Sequence, residues 1–153
     1  LKEQFSCTII GPNAEADRIP GIARQVSGGD SFTWAGREVK VLDCPGHTKG
    51  HIAYHIPSEF TVFAGDTLFS LGCGRVFEGT LEEMFHSVSQ FKALSPSTYL
   101  YCGHEYTESN ARFALSVEPM NRMLQQRAGI VSTLRQEGKM TCPSTIGEEL
   151  KAN

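Results

Sequence analysis

Asp43-Cys44-Pro45-Gly46-His47-Thr48-Lys49-Gly50-His51 follows the alternating run Glu38-Val39-Lys40-Val41-Leu42 and leads into the strand-like run 51–56. It places an imidazole, His47, in a glycine-containing turn at the end of a strand. Two later pieces repeat the arrangement: Ala64-Gly65-Asp66-Thr67 after the apolar run 60–64, and Tyr101-Cys102-Gly103-His104-Glu105-Tyr106 after the run 98–102. A strand end holds a ligand rigidly, and neighbouring glycine leaves room for an ion and its substrate. Two imidazoles and one carboxylate brought together favour zinc, iron or manganese over calcium or magnesium. Each piece alone has a plainer reading, as a turn histidine bonded to backbone or a capping aspartate. The repetition of strand, glycine and donor in all three is what favours a metal site.

Outward from these pieces, strand signals dominate the first two-thirds of the chain. The run 5–10 ends at Gly11-Pro12, Gly28-Gly29-Asp30 is a turn leading into Phe32-Thr33-Trp34, and Val39 and Val41 share one face of their strand. Residues 13–26 are read as a short helix broken by Pro20 and Gly21. Residues 80–94 are the clearest helix, with a Thr80/Glu83 capping box and an apolar face of Leu81, Met84, Phe85, Val88 and Phe91. A helix over 107–117 turns Phe113, Ala114 and Val117 inward, and Pro119 breaks it. Another over 121–136 carries Met123, Leu124, Ala128, Val131 and Leu134. The order is strands with one inserted helix, then helices only. It predicts an α+β fold with a sheet-rich domain over 1–117 and the start of a helical domain over 118–153.

Thiols offer a rival metal reading, with Cys44 and His47 plus Cys102 and His104 around a structural zinc. That set spaces its second pair too tightly for a zinc knuckle and leaves Asp66 without a role. His51 is a candidate for orienting a ligand from behind, His55 for the rim, and His86 for a half-exposed helix position. Arg75, in Gly72-Cys73-Gly74-Arg75-Val76-Phe77-Glu78-Gly79-Thr80, suits an anionic substrate; its plain alternative is an ion pair with Glu78.

The net charge of −3 gives no reason to expect nucleic acid or an anionic membrane as partner, and no apolar run nears the roughly 20 residues that cross a bilayer. The 5 cysteines are odd in number and scattered, which suits reduced thiols in a cytoplasmic protein. The chain opens on Leu1, and a Thr145/Glu148 capping box starts a helix only a few residues before Asn153. A piece of a longer protein is expected.

Pro45-Gly46-His47-Thr48, Ala64-Gly65-Asp66-Thr67-Leu68-Phe69, the Gly72–Thr80 block and Tyr101-Cys102-Gly103-His104-Glu105-Tyr106-Thr107 together resemble glyoxalase II, the hydroxyacylglutathione hydrolases of the metallo-β-lactamase superfamily. The resemblance implies a partial αββα four-layer sandwich with the start of a helical C-terminal domain. It implies a binuclear site, zinc ahead of iron or manganese, with His47 on one ion, His104 on the other, and Asp66 bridging them as the catalytic carboxylate. Arg75, Phe77 and Tyr106 become substrate contacts, Phe77 without the hydroxyl that some members carry there. The implied reaction is hydrolysis of S-D-lactoylglutathione to D-lactate and glutathione by a monomer, in methylglyoxal detoxification. The family's upstream histidine-rich ligand motif does not occur here, so the 153 residues alone are expected to bind metal poorly. A mononuclear-iron persulfide dioxygenase and a non-catalytic homologue are the alternatives.

Overall fold

The computed structural model describes residues 2–153. A short helix, α1 (Lys2–Phe5), precedes two parallel strands, β1 (Ile10–Pro12) and β2 (Arg24–Val26). The strand expected over 5–10 is therefore displaced. Ser6 turns the chain at positive φ, and β1 begins where the expected strand was to end. The helix expected over 13–26 is one 3-10 turn, Asn13–Glu15, followed by turns and β2. Pro20 and Gly21 break helical continuity there, and Gly21 sits at φ 82°.

The main sheet comprises β3 (Ser31–Trp34), β4 (Arg37–Asp43), β5 (Ile52–Ile56), β6 (Thr61–Gly65), β9 (Tyr99–Cys102) and β10 (Ser144–Thr145). They lie in the order β10-β9-β6-β5-β4-β3, and a small hairpin of β7 (Leu68–Phe69) and β8 (Gly72–Cys73) stands apart. All main-sheet neighbours are antiparallel except β6 and β9. Residues paired across strands project to the same side. Leu42, Ala53 and Ala64 therefore share one face with Val62 and Leu100, and this face is covered by Phe91, Ile146, Val88 and Leu94. On the opposite face Val41 aligns with Tyr54, Phe63 and Tyr101. Tyr54 donates its hydroxyl hydrogen to the carbonyl of Ile10, so β1 and β2 lie on this side. Phe63 and Tyr101 stack at 5.2 Å yet stay 44% and 37% exposed. The chain thus holds a sheet-and-helix pair of layers and the beginning of a second sheet.

The helices form where expected, but two of their faces differ. α2 (Leu81–Gln90) carries the Thr80/Glu83 capping box, and it packs through Met84, Ser87 and Val88, with Phe91 just beyond its end. Leu81 and Phe85 point away, 80% and 70% exposed. The buried stripe includes a serine, whose hydroxyl donates to the Pro45 carbonyl, and a count of apolar residues cannot see it. In α3 (Thr107–Val117) the packed side is Thr107, Ala111, Ala114 and Leu115, while Phe113 and Val117 are exposed. Small side chains let α3 approach its neighbours closely, and the larger ones lie opposite. α4 (Arg122–Gln136), capped by Asn121, buries Leu124 and Val131 and leaves Met123 half exposed. α5 (Ile146–Ala152) closes the chain.

One buried carboxylate ties α5 to the rest. Glu149 accepts from Ser70 Oγ (3.0 Å), the Leu71 amide (2.8 Å) and Asn153 Nδ2 (3.1 Å). Glu149→Ala strands a buried amide and hydroxyl, a cost of about 1–3 kcal/mol. The expected outcome is a lower urea midpoint at unchanged slope. Leu150→Ala, at an exposed neighbouring position, is expected to stay within about 0.5 kcal/mol of the parent chain.

Candidate metal centre

β4, β6 and β9 all point the same way, because β5 runs antiparallel to both β4 and β6 while β6 and β9 are parallel. Their C-terminal ends therefore share one edge of the sheet, and β5 starts there. His47 hangs in the loop after β4, His51 directly precedes β5, Asp66 follows β6 and His104 follows β9. Residues spread from 47 to 104 meet at one sheet end.

His47 Nε2 lies 3.4 Å from Asp66 Oδ2, and His104 Nε2 lies 3.4 Å from Asp66 Oδ1. One carboxylate stands between two imidazoles with an oxygen turned to each, at separations longer than a good hydrogen bond. Asp66 Oδ1 is buried without a hydrogen-bond partner, which a carboxylate oxygen tolerates poorly unless a cation compensates it. His47 Nδ1 is 2.9 Å from the Arg75 carbonyl oxygen, which can only accept. The proton therefore sits on Nδ1, and the Nε2 lone pair faces the carboxylate, the tautomer a metal ligand needs. A Cβ on Gly103 would stand 2.5 Å from Asp66 Oδ1, and one on Gly74 would stand 1.8 Å from the Asp66 carbonyl oxygen. Both glycines are needed for that close approach. The donor set fits two nitrogen- and oxygen-preferring cations sharing Asp66. Among the described residues no three His, Cys, Asp or Glu side chains close around one point. Each half of the site thus offers one imidazole and one carboxylate oxygen.

His51 acts on the backbone. Its Nε2 accepts from the Asp66 amide at 3.1 Å, and its Nδ1 lies 3.1 Å from Thr67 Oγ1. Burial, working against the nearby Asp66 charge, holds this imidazole below its usual pKa. A neutral ring with a free Nε2 lone pair is what that amide requires. His55 is half-buried within the sheet, and His86 is exposed on α2.

The aromatic candidates pack against the two imidazoles. Phe77 lies 5.0 Å from the His47 ring, and Tyr106 stacks on His104 at 5.0 Å and 17°. Phe69, not singled out from the sequence, sets its edge against both Tyr106 and His104. Its place in the Asp66-Thr67-Leu68-Phe69 run was the available signal. Arg75 is exposed and lines the same cavity of about 620 Å³ as His47, Asp66, His104 and Tyr106. The pairing of Arg75 with Glu78 does not occur, because Glu78 is taken by Arg18 at 2.9 Å and by the Lys49 amide.

The thiol alternative does not assemble. Cys44 is fully buried among Ala53 and Val62, and burial pushes its thiol up to about 12. Cys102 turns toward Cys142, and burial raises its thiol to about 11. Glu105 extends the site toward the C-terminal helices. It accepts from the Thr141 amide at 2.8 Å and from the Thr141 hydroxyl. Burial favours its neutral form, but these bonds, with Thr107 and Arg135, hold its pKa below the usual value.

Residues 4–104, more than half of the chain, match the family model described as metallo-beta-lactamase superfamily, and residues 105–153 match that described as hydroxyacylglutathione hydrolase C-terminus. A curated protein of Brucella ovis named hydroxyacylglutathione hydrolase is 55% identical over all 153 residues; the chain spans 60% of that relative's length. The crystal structure of ETHE1 from Myxococcus xanthus aligns with a TM-score of 0.61 and 30% identity, over 69% of this chain and 46% of that one. The BLEG-1 B3 metallo-beta-lactamase aligns at 0.59 and 22% identity, over 67% and 60%, and supports the fold.

Gly103→Ala drives a methyl into Asp66 Oδ1. Zinc affinity, measured by chelator competition, is expected to fall about 10-fold or more, the scale of disturbing a ligand's support. Unchanged affinity would remove Asp66 from the site.

Proposed function

Because the chain belongs to the metallo-beta-lactamase superfamily, we propose that the protein containing it hydrolyses S-(2-hydroxyacyl)glutathione, S-D-lactoylglutathione first, to D-lactate and glutathione. The observation that carries this reading is the Asp66 carboxylate between His47 and His104, in a cavity also lined by Arg75, which forms no ion pair among the described residues. The identity to the Brucella ovis protein and the match of residues 105–153 support the choice of substrate. A mononuclear-iron dioxygenase is less favoured, since each imidazole meets a different oxygen of Asp66, an arrangement that suits two ions sharing the carboxylate better than one.

His47 and His104 would each hold one ion through Nε2, with Asp66 between them. Bound zinc, or iron or manganese in its place, supplies Lewis acidity toward water and the thioester carbonyl. The rest is positioning by the chain itself. His51 fixes the Asp66 backbone, and the Arg75 carbonyl fixes the His47 ring. The Arg75 guanidinium offers two parallel donors to a glutathione carboxylate. Tyr106, 51% exposed, presents its hydroxyl at the cavity while its ring supports His104. Phe77, 68% exposed, supplies an apolar wall that also holds His47.

We also propose a division at residue 117, a monomeric and cytoplasmic protein, and no nucleic-acid or membrane partner. The support is the net charge of −3, the 5 free thiols and the helices after Pro119. No described helix is long and apolar enough to cross a membrane.

The deciding experiment assays thiol release from S-D-lactoylglutathione by protein of the relatives' full length, loaded with zinc, iron or manganese. Turnover is expected, and none with any metal overturns the assignment. Arg75→Ala is expected to raise KM about 10- to 100-fold while kcat changes less, the scale of lost charged hydrogen bonds. Asp66→Asn is expected to lower kcat by at least about 100-fold, beyond the loss of a mere supporting group. The isolated 153 residues are expected to show little turnover.

A further inference from the structure

Two thiols face each other behind the candidate metal centre. Cys102 Sγ and Cys142 Sγ lie 3.9 Å apart, although 40 residues separate them. β9 and β10 are antiparallel, with Ser144 opposite Leu100 and Thr145 opposite Tyr99. Cys102 is the last residue of β9, and Cys142 lies two residues before β10, so both thiols sit at the end of this short pairing. Neither thiol is fully buried.

The segment bearing Cys142 is held on both sides. Thr141 is anchored by Glu105 and by Arg127, whose Nη2 donates to its carbonyl at 3.3 Å. Ser144 and Thr145 are pinned in the ladder with β9, and Thr145 caps α5. Cys102 has its own attachment, its Sγ donating to the His104 carbonyl at 3.3 Å. The thiol proton of Cys102 thus tethers the backbone of a candidate metal ligand.

We propose that Cys102 and Cys142 form a reversible disulfide with a small oxidised thiol such as glutathione disulfide, and that the bond releases the tether on His104. One cysteine thiolate attacks the glutathione disulfide, forming a mixed disulfide and expelling one glutathione. The second cysteine displaces the other glutathione and closes the internal bond. Two protein thiols are oxidised, one glutathione disulfide is reduced to two glutathiones, and the two protons end on those thiols. Afterwards Cys102 Sγ has no hydrogen to donate to the His104 carbonyl, and the two sulfurs have closed from 3.9 Å to about 2.0 Å. A thiol pair of this kind is kept reduced in a reducing compartment and responds when the disulfide pool rises.

The formation of the bond does not depend on the hydrolase reading; its effect on metal rests on the assignment of His104. Protein of the relatives' full length is equilibrated with excess glutathione disulfide, then read by intact mass, peptide mapping and zinc competition. The expected product has lost two hydrogens, with a peptide cross-link between Cys102 and Cys142, while exposed Cys7 and Cys73 carry glutathione adducts. Zinc affinity is expected to fall about 10-fold relative to the reduced chain and to recover with dithiothreitol, the scale of removing a ligand's support. In Cys142→Ser the cross-link and the oxidation-dependent zinc shift both vanish. Separate adducts on Cys102 and Cys142, or free thiols there while Cys7 reacts, overturn the proposal. A cross-link with unchanged zinc affinity overturns its link to His104, and a reduced chain that binds no zinc instead indicts the metal reading.

Discussion

The Asp66 amide donates to His51 Nε2 at 3.1 Å, and this bond sets where the rest of the site can be. The chain leaves β6 through Gly65 at φ 53°, and a Cβ there would sit 2.7 Å from the His51 ring. Only glycine accepts both the left-handed backbone and that contact. Held from behind by a neutral imidazole, Asp66 can project its carboxylate to the front, between His47 and His104. The hydrogen bond spends one histidine on backbone so that two others are free for cations. It also explains why the loop after β6 must be crowded, with Gly74 and Gly103 pressed against it.

The meeting of His47, Asp66 and His104 was legible because it follows from strand direction. Each donor lies just past a run of strand-forming residues, and two strands separated by one antiparallel neighbour end on the same side. The support around them was less legible. Nothing local in the sequence says that His51 faces a main-chain amide, that Tyr106 lies flat on His104, or that Phe69 braces both rings. These contacts join residues that periodicity treats as independent. The partnership of Glu78 with Arg18 lies further out of reach, since Arg18 belongs to a segment read as helix and built as turns.

The helix faces show the opposite lesson. Capping boxes at Thr80 and Thr145 marked two helix starts correctly, because a cap is settled within four residues. The buried face is settled by whatever surface the helix meets. α2 meets the loop after β4, which asks for a serine hydroxyl, and α3 packs mainly through threonine and alanine, with Leu115 beside them. The large apolar residues Phe85 and Phe113 consequently lie on the far sides. An apolar count reads transfer free energy, while close packing also rewards small volume and satisfied polar groups.

The C-terminal helices are joined to the site by carboxylates rather than by apolar contact alone. Glu105, the residue after His104, grips Thr141, and Glu149 of α5 grips Ser70 and Leu71 next to Phe69. A fully apolar joint could slide with little loss, since dispersion and burial are nondirectional. Charged hydrogen bonds have fixed geometry and, where they are buried as at Glu149, are costly to break singly. Such a joint transmits position: a shift of the segment around Thr141 moves Glu105, and with it the backbone of His104. The thiols of Cys102 and Cys142 lie across that same joint, which is why a change of bonding between them reaches the metal centre rather than stopping at the surface.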